Sequence, residues 1–253
     1  MLTSSYIHFP GVGTSTEKRI WQSGISTWEE FIENYPNVGL PASKENVILE
    51  GIGQSRDRLA ASDHSYFSRA LPSNEHWRAY RQFKENTIFL DIETTGLSAR
   101  DHEITMIGVY TKDKTRVFIN GINLDDFPST LEGCKTIVTF NGIRFDIPFI
   151  KHYFPDIVFD QLHIDLMYPL RRIGLTGGLK KIETSLGLAR STETTGLTGF
   201  DAVRLWYRYK RGSQEALDTL IKYNIEDIQN LETIIEIIYP DLVNYLHPNN
   251  LKH

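Results

Sequence analysis

Thr87-Ile-Phe-Leu-Asp-Ile-Glu-Thr-Thr-Gly96 runs a strand into a pair of carboxylates and then turns away. Thr87–Leu90 is a short run of strand-forming residues, and Asp91-Ile92-Glu93 follows it directly. On an extended chain residues i and i+2 point to the same side. Asp91 and Glu93 therefore project together, while Ile92 faces a helix. Two carboxylates on one face repel each other, and a hard divalent cation such as Mg²⁺ or Mn²⁺ relieves the repulsion. Alone, the pair also reads as two solvated acids at a strand end.

The strand pattern continues on both sides of this stretch. Ile104–Tyr110 and Thr115–Ile119 read as strands joined by a turn at Lys112-Asp113-Lys114. Thr130–Cys134 reads as the end of a helix, Thr136–Phe140 as a strand, Phe145–Tyr153 as a helix and Gln161–Asp165 as a fifth strand. A last long helix spans about Gln214 to Ile238, with Leu217, Ile221, Ile228, Leu231 and Ile235 along one side. The order predicts a mixed α/β layer architecture. Residues 1–84 predict a small, separate helical region, with helices near 15–23, 27–34, 43–64 and 73–83. Thr14…Glu17 and Ser26…Glu29 have capping-box spacing, and Gly24 marks a helix end. Pro10-Gly11-Val12-Gly13 before a helix is partly helix-hairpin-helix-like, but too little chain precedes it for a full first helix. A packing role braced by Ile20, Trp21, Ile25, Trp28 and Phe31 is the expectation there.

The chain has 253 residues, 40% hydrophobic and 23% charged, which is ordinary globular usage. One cysteine, Cys134, excludes an internal disulfide and a Cys-rich zinc site. No apolar run reaches the roughly 20 residues of a membrane helix, no secretory signal is visible, and a cytoplasmic location is the expectation. The net charge of −5 looks poor for nucleic-acid binding. Residues 171–211, however, carry nine basic side chains against three acids, interleaved with Phe200, Trp206, Tyr207 and Tyr209. Cations mixed with aromatics suit a single strand; a solvated helix face with core aromatics is the plain alternative.

Two further carboxylate stretches lie downstream. Asn141-Gly-Ile-Arg-Phe-Asp146 follows the fourth strand and places Asp146 at a helix start, where a cap is the simple reading. Tyr223-Asn-Ile-Glu-Asp227 lies in the last helix, with Tyr223 and Asp227 one turn apart on one face.

In order and spacing, Asp91-Ile-Glu93-Thr-Thr-Gly96-Leu97, Asn141-Gly-Ile-Arg-Phe145-Asp146 and Tyr223-Asn-Ile-Glu-Asp227 resemble the three motifs of the DEDD superfamily of 3′–5′ exonucleases. Tyr-x-x-x-Asp marks the tyrosine subclass. Trp77-Arg78, His163-Ile-Asp165-Leu166 and Leu179-Lys-Lys-Ile-Glu183 resemble the YprB-like branch, in which His stands at the Tyr223 position in some relatives. The resemblance covers about residues 87–240. It implies a ribonuclease H-like mixed sheet flanked by helices over residues 85–253. It also implies two divalent ions, Mg²⁺ or Mn²⁺, held by Asp91, Glu93, Asp146 and Asp227, with Tyr223 positioning the attacking water. Leu97 and Phe145 are candidates to pack on terminal bases, Lys180 and Lys181 to contact the backbone, and Asn141 to contact nucleic acid. Gly177-Gly178 lets the chain turn close to a ligand there. His163 with Asp165 allows a zinc or supporting site, although a structural His is the plainer reading. The expected partner is a single-stranded DNA or RNA end. A nucleic-acid-binding module, or an endonuclease or phosphatase on the same fold, is the alternative.

Overall fold

A computed structural model of the chain describes residues 1–112 and 114–246, so Asp113 of the expected turn lies outside the described residues. Five strands form one sheet in the order β3-β2-β1-β4-β5. They are β1 (Thr87–Thr94), β2 (Ile104–Thr111), β3 (Lys114–Ile119), β4 (Thr136–Thr139) and β5 (Leu162–Asp165). β1 is central, antiparallel to β2 and parallel to β4. β3 pairs antiparallel with β2, and β5 parallel with β4.

Alternation along β1 divides the core. Ile88, Leu90 and Ile92 pack with Phe149 and Ile150 of the helix Asp146–Tyr153. Phe89 faces the other way, onto Leu231, Ile234, Ile235 and Ile238 of the helix Gln214–Leu246. Asp91 and Glu93 continue the Phe89 face. β1 is longer than the apolar run alone suggested, because the carboxylates are themselves strand residues paired to Gly108 and Met106 of β2. The last helix also outruns its expected end at Ile238: it passes through Pro240, since Tyr239 and Leu242 keep the buried stripe going.

Residues 1–84 are helical, with α1 (Thr14–Gln22), α2 (Trp28–Asn34), α3 (Ala42–Ala60), α4 (His64–Ala70) and α5 (Tyr80–Phe83). Ile20, Ile25, Trp28 and Phe31 belong to one buried cluster that also takes in Leu162 of β5. Gly13 is the N-cap of α1, Val12 is buried, and Leu2–Ser4 form a short 3₁₀ turn.

Several local expectations fail for physical reasons. Thr14 makes no cap, because Glu17 turns inward to a buried arginine, Arg78. The second capping box sits one residue later than expected, at Thr27 and Glu30. The expected 43–64 helix breaks after Ala60, where Ser62 takes φ 53° and Asp63 caps a new helix through the Tyr66 N–H. Residues 73–79 form a 3₁₀ helix ahead of α5, and the helix before β4 is also 3₁₀, Leu124–Leu131.

The remaining helices are α6 (Asp146–Tyr153), α7 (Met167–Arg172), α8 (Leu179–Ser185), α9 (Gly199–Lys210) and α10 (Gln214–Leu246). α9 and α10 pack on β2 and β3 through Trp206, Leu205, Leu217 and Leu220. They close the face of the sheet that carries the carboxylates.

Candidate active site

α10 approaches β2 at the one residue with no side chain. A Cβ on Gly108 would lie 1.9 Å from Asn224 Oδ1. That contact lets Asn224 Nδ2 donate to Asp91 Oδ2 at 3.0 Å and brings the adjoining turn of α10 over β1. Asp91, Glu93 and Asp227 then offer ligand atoms that all lie within 4.8 Å of one another. Among the described residues this is the single group of three or more metal-type ligands.

Asp146 stands beside the three rather than among them. The β1–β4 ladder pairs only Thr87 to Phe89 with β4. Beyond it, the Ile92 N–H donates to Asp146 Oδ1 at 3.2 Å. The loop that delivers Asp146 is tied down by Asp165, which accepts from the N–H groups of Asn141 (2.7 Å), Ile143 (3.2 Å) and Met167 (3.1 Å). Asn141 takes φ 64° at the head of that loop. Asp165 thus supports the loop, and among the described residues it joins no group of three metal-type ligands. His163 is structural too: its N–H donates to His76 Nδ1 and its ring pairs with the Thr139 hydroxyl.

Burial raises every carboxyl in the cluster. Asp91 and Glu93 lie well above the usual range, through desolvation first and then the charges of Asp227 and Asp146. Desolvation pushes Asp146 up to about 7. It lifts Asp227 to about 6, against the pull of Arg190. The group therefore stores repulsion that a bound cation relieves, and an all-oxygen donor set of this kind suits Mg²⁺ or Mn²⁺. The residues present fit such ions.

Tyr223 is buried, and its phenol is raised far above its ordinary value by desolvation and by Asp227, Glu93 and Asp91. It stays protonated and can donate a hydrogen bond. Lys180 Nζ sits 4.3 Å from the Tyr223 ring centroid and the Arg190 guanidinium 5.4 Å from it.

A cavity of about 660 Å³ is lined by Asp91, Glu93, Tyr223 and Asp227 together with Leu97, Phe145 and Phe200. Leu97 is 87% and Phe200 66% exposed, so both present apolar surface to solvent at the edge of a charged site. Phe145 also packs on Phe149 at 5.0 Å between centroids. A second cavity of about 270 Å³ joins Tyr223 and Asp227 to Lys180 and Lys181. Asn141 lines neither cavity. The basic stretch is divided. Arg172 pairs with Glu75, and Arg190 with Glu183 and Asp227, whereas Arg171, Arg208, Lys210 and Arg211 are exposed. Trp206 is buried, Tyr209 packs on it, and Phe200 and Tyr207 are exposed.

The sequence alone assigns no site role to Asn224 or Arg190 and no packing role to Gly108, while Phe200, one of the aromatics of the basic stretch, reaches the cavity wall. Asn224 left a signal: it lies in register with Ile228, Leu231 and Ile235, and a polar residue inside an apolar stripe needs a partner. Arg190 left none, since its acids are seven and thirty-seven residues away.

The RNase_H superfamily matches residues 88–239, more than half of the chain. The protein belongs to that superfamily, and its five-strand mixed sheet flanked by helices is the RNase H-like fold. Among solved structures it is similar to the family B DNA polymerase from the hyperthermophilic archaeon Pyrobaculum calidifontis, with 16% sequence identity and a TM-score of 0.49. The match covers 64% of this chain and 27% of that one, so the chain spans about a quarter of the polymerase's length. No curated protein matches it. Among the described residues no helix is long and apolar enough to cross a membrane.

Proposed function

We propose that this protein is a metal-dependent 3′–5′ exonuclease of the DEDD type, tyrosine subclass and YprB-like branch, acting on single-stranded ends of DNA or RNA. Residues 85–253 are the nuclease domain in this reading, residues 1–84 a helical appendage, and the cytoplasm its place of work. The carrying observation is the convergence of Asp91, Glu93 and Asp227 within 4.8 Å. Tyr223 and an apolar-walled cavity lie beside them.

Asp91, Glu93 and Asp227 would hold one divalent ion, and Asp146 with Asp91 would serve a second. When bound, such ions acidify the attacking water and stabilise the departing 3′ oxygen of an in-line displacement. Tyr223, kept protonated by its buried acidic surroundings, orients the water and does not act as the base. Leu97, Phe145 and Phe200 pack on the terminal bases, where stacking on an aromatic is worth about 1–3 kcal/mol per base. Lys180 and Lys181 meet the backbone phosphates from the second cavity.

The test uses 5′-labelled single-stranded DNA and RNA, and a single-stranded circle, with Mg²⁺ or Mn²⁺. The expected result is a descending ladder on the linear strands and an intact circle. The ladder disappears with chelator and in Asp91→Asn. A cut circle would make the protein an endonuclease. Tight binding with no cleavage of any strand would make it a binding module.

A further inference from the structure

Behind Asp227 runs a ring of buried polar contacts to which the proposed chemistry assigns no role. Arg190 lies on the segment between α8 and α9, with its side chain 7% exposed. Its Nε donates to Glu183 Oε2 at 2.7 Å and its Nη2 to Glu183 Oε1 at 2.6 Å. The same Nη2 donates to Asp227 Oδ1. Asn230 Nδ2, on α10, donates to Glu183 Oε1 at 2.9 Å and closes the ring. The segment itself is pinned to α10. Glu226 accepts from the Ser191 N–H at 3.2 Å and from the Thr194 hydroxyl. Arg190 lines neither of the two cavities and meets the site through Asp227 and the Tyr223 ring.

We propose that Arg190, clamped by Glu183, is a positioning residue that fixes the Asp227 carboxylate for binding a divalent cation. The inference rests on the metal-dependent reading of the site. Two effects of the guanidinium oppose each other. Its charge alone repels an incoming cation. Its planar fork, however, is already neutralised by a buried carboxylate, and a bidentate pair of this kind fixes geometry as well as charge. The Arg190–Glu183 pair therefore presents Asp227 with an oriented donor and little net charge. Without Arg190, Glu183 becomes a further buried anion beside three others, and Asp227 loses the contact that holds its rotamer. Positioning prevails over repulsion.

The experiment is a calorimetric titration of the full chain with Mn²⁺, without nucleic acid, for wild type, Arg190→Met, Arg190→Lys, Glu183→Gln and Asp91→Asn. Partners of metal ligands typically contribute ~10–100-fold in affinity. Arg190→Met is expected to weaken Mn²⁺ binding by about that factor. Arg190→Lys recovers part of the loss, because an ammonium restores the charge without the fork. In turnover, kcat falls at saturating strand while KM for the strand is unchanged. Arg190→Met binding Mn²⁺ as tightly as wild type, or more tightly, would overturn the proposal. If circular dichroism shows that Arg190→Met does not fold, Glu183→Gln decides: unchanged affinity there refutes the clamp. Wild type that binds no Mn²⁺ sensitive to Asp91→Asn sinks the metal reading and this inference with it. A normal Arg190→Met in the presence of an Asp91→Asn defect sinks only the inference.

Discussion

At Asp91, Glu93, Asp146 and Asp227 the fold spends stability to assemble function, and the cost has a pH signature. An acid whose folded pKa is raised stabilises the fold below its unfolded pKa. It loses that contribution as pH climbs through the folded pKa. Asp227 rises to about 6 and Asp146 to about 7 from an ordinary 3.8, while Asp91 and Glu93 lie well above their ordinary values. Buried His8, lowered to about 3, His163, lowered to about 4, and His76, also lowered by burial, act with the opposite sign, up to about a unit above their ordinary 6.5. From about pH 7.5 to about pH 8.5 all three histidines are neutral whether folded or not. In that window the protein in chelator is expected to lose stability as pH rises, as read by urea unfolding. Asp91→Asn should flatten the slope. This comparison also separates the cluster from the buried Met1 amine, whose lowered pKa works the other way. A wild-type slope matched by Asp91→Asn would remove the carboxylates as its cause. Mn²⁺ should add more stability at the alkaline end of the window, where more of its ligands are already ionised.

The element that delivers Asp146 depends on Asp165 at the end of β5. One carboxylate satisfies three backbone N–H groups of the turn and the next helix start. Asp165→Ala strands all three donors, and the expected loss is at least ~2 kcal/mol, measured by urea unfolding, with nuclease activity falling because Asp146 is no longer held. A loss under ~0.5 kcal/mol would show that water replaces the carboxylate at the loop. Asn141, at φ 64°, is an informative control. Asn141→Gly keeps the backbone and removes the side chain, so a drop in strand binding without a drop in stability would assign that side chain to nucleic acid. Elements of this kind also show what was legible. Periodicity placed all five strands and the long α10, because alternation and the apolar stripe are local properties of the chain. Motif spacing singled out Asp91, Glu93, Tyr223 and Asp227 for the same reason. The capping boxes misled: Thr14…Glu17 satisfies the local rule, yet Glu17 serves a cation sixty-one residues away. Asn224 is legible as a polar residue in the apolar stripe of α10, whereas Arg190 meets the site only through tertiary packing, which residue spacing does not encode.

Across the whole molecule, one buried cation joins α1 to the 3₁₀ helix Ser73–Ala79, from which Glu75 carries the link on to α7. Arg78 is 1% exposed and sits between Glu17 of α1, at 2.8 Å, and Glu75, at 2.6 Å. Glu75 also pairs with Arg172 of α7. Glu17 is further held by the Tyr6 N–H at 2.8 Å, so its carboxylate cannot turn out to water without opening the N-terminal segment. Removing the arginine therefore leaves a charge with nowhere to go. Breaking a buried pair from one side costs about 3–5 kcal/mol, whereas replacing both partners by apolar groups is often close to neutral. Arg78→Met is expected to lose about 3–5 kcal/mol in urea unfolding. Arg78→Met combined with Glu17→Leu should regain part of it, with recovery limited by the Tyr6 N–H that loses its acceptor. A single-variant cost below ~1 kcal/mol would mean that Glu17 reaches water when Arg78 is lost. The hydrophobic cluster of residues 1–84, which already embraces Leu162 of β5, would then be what fastens the helices to the sheet.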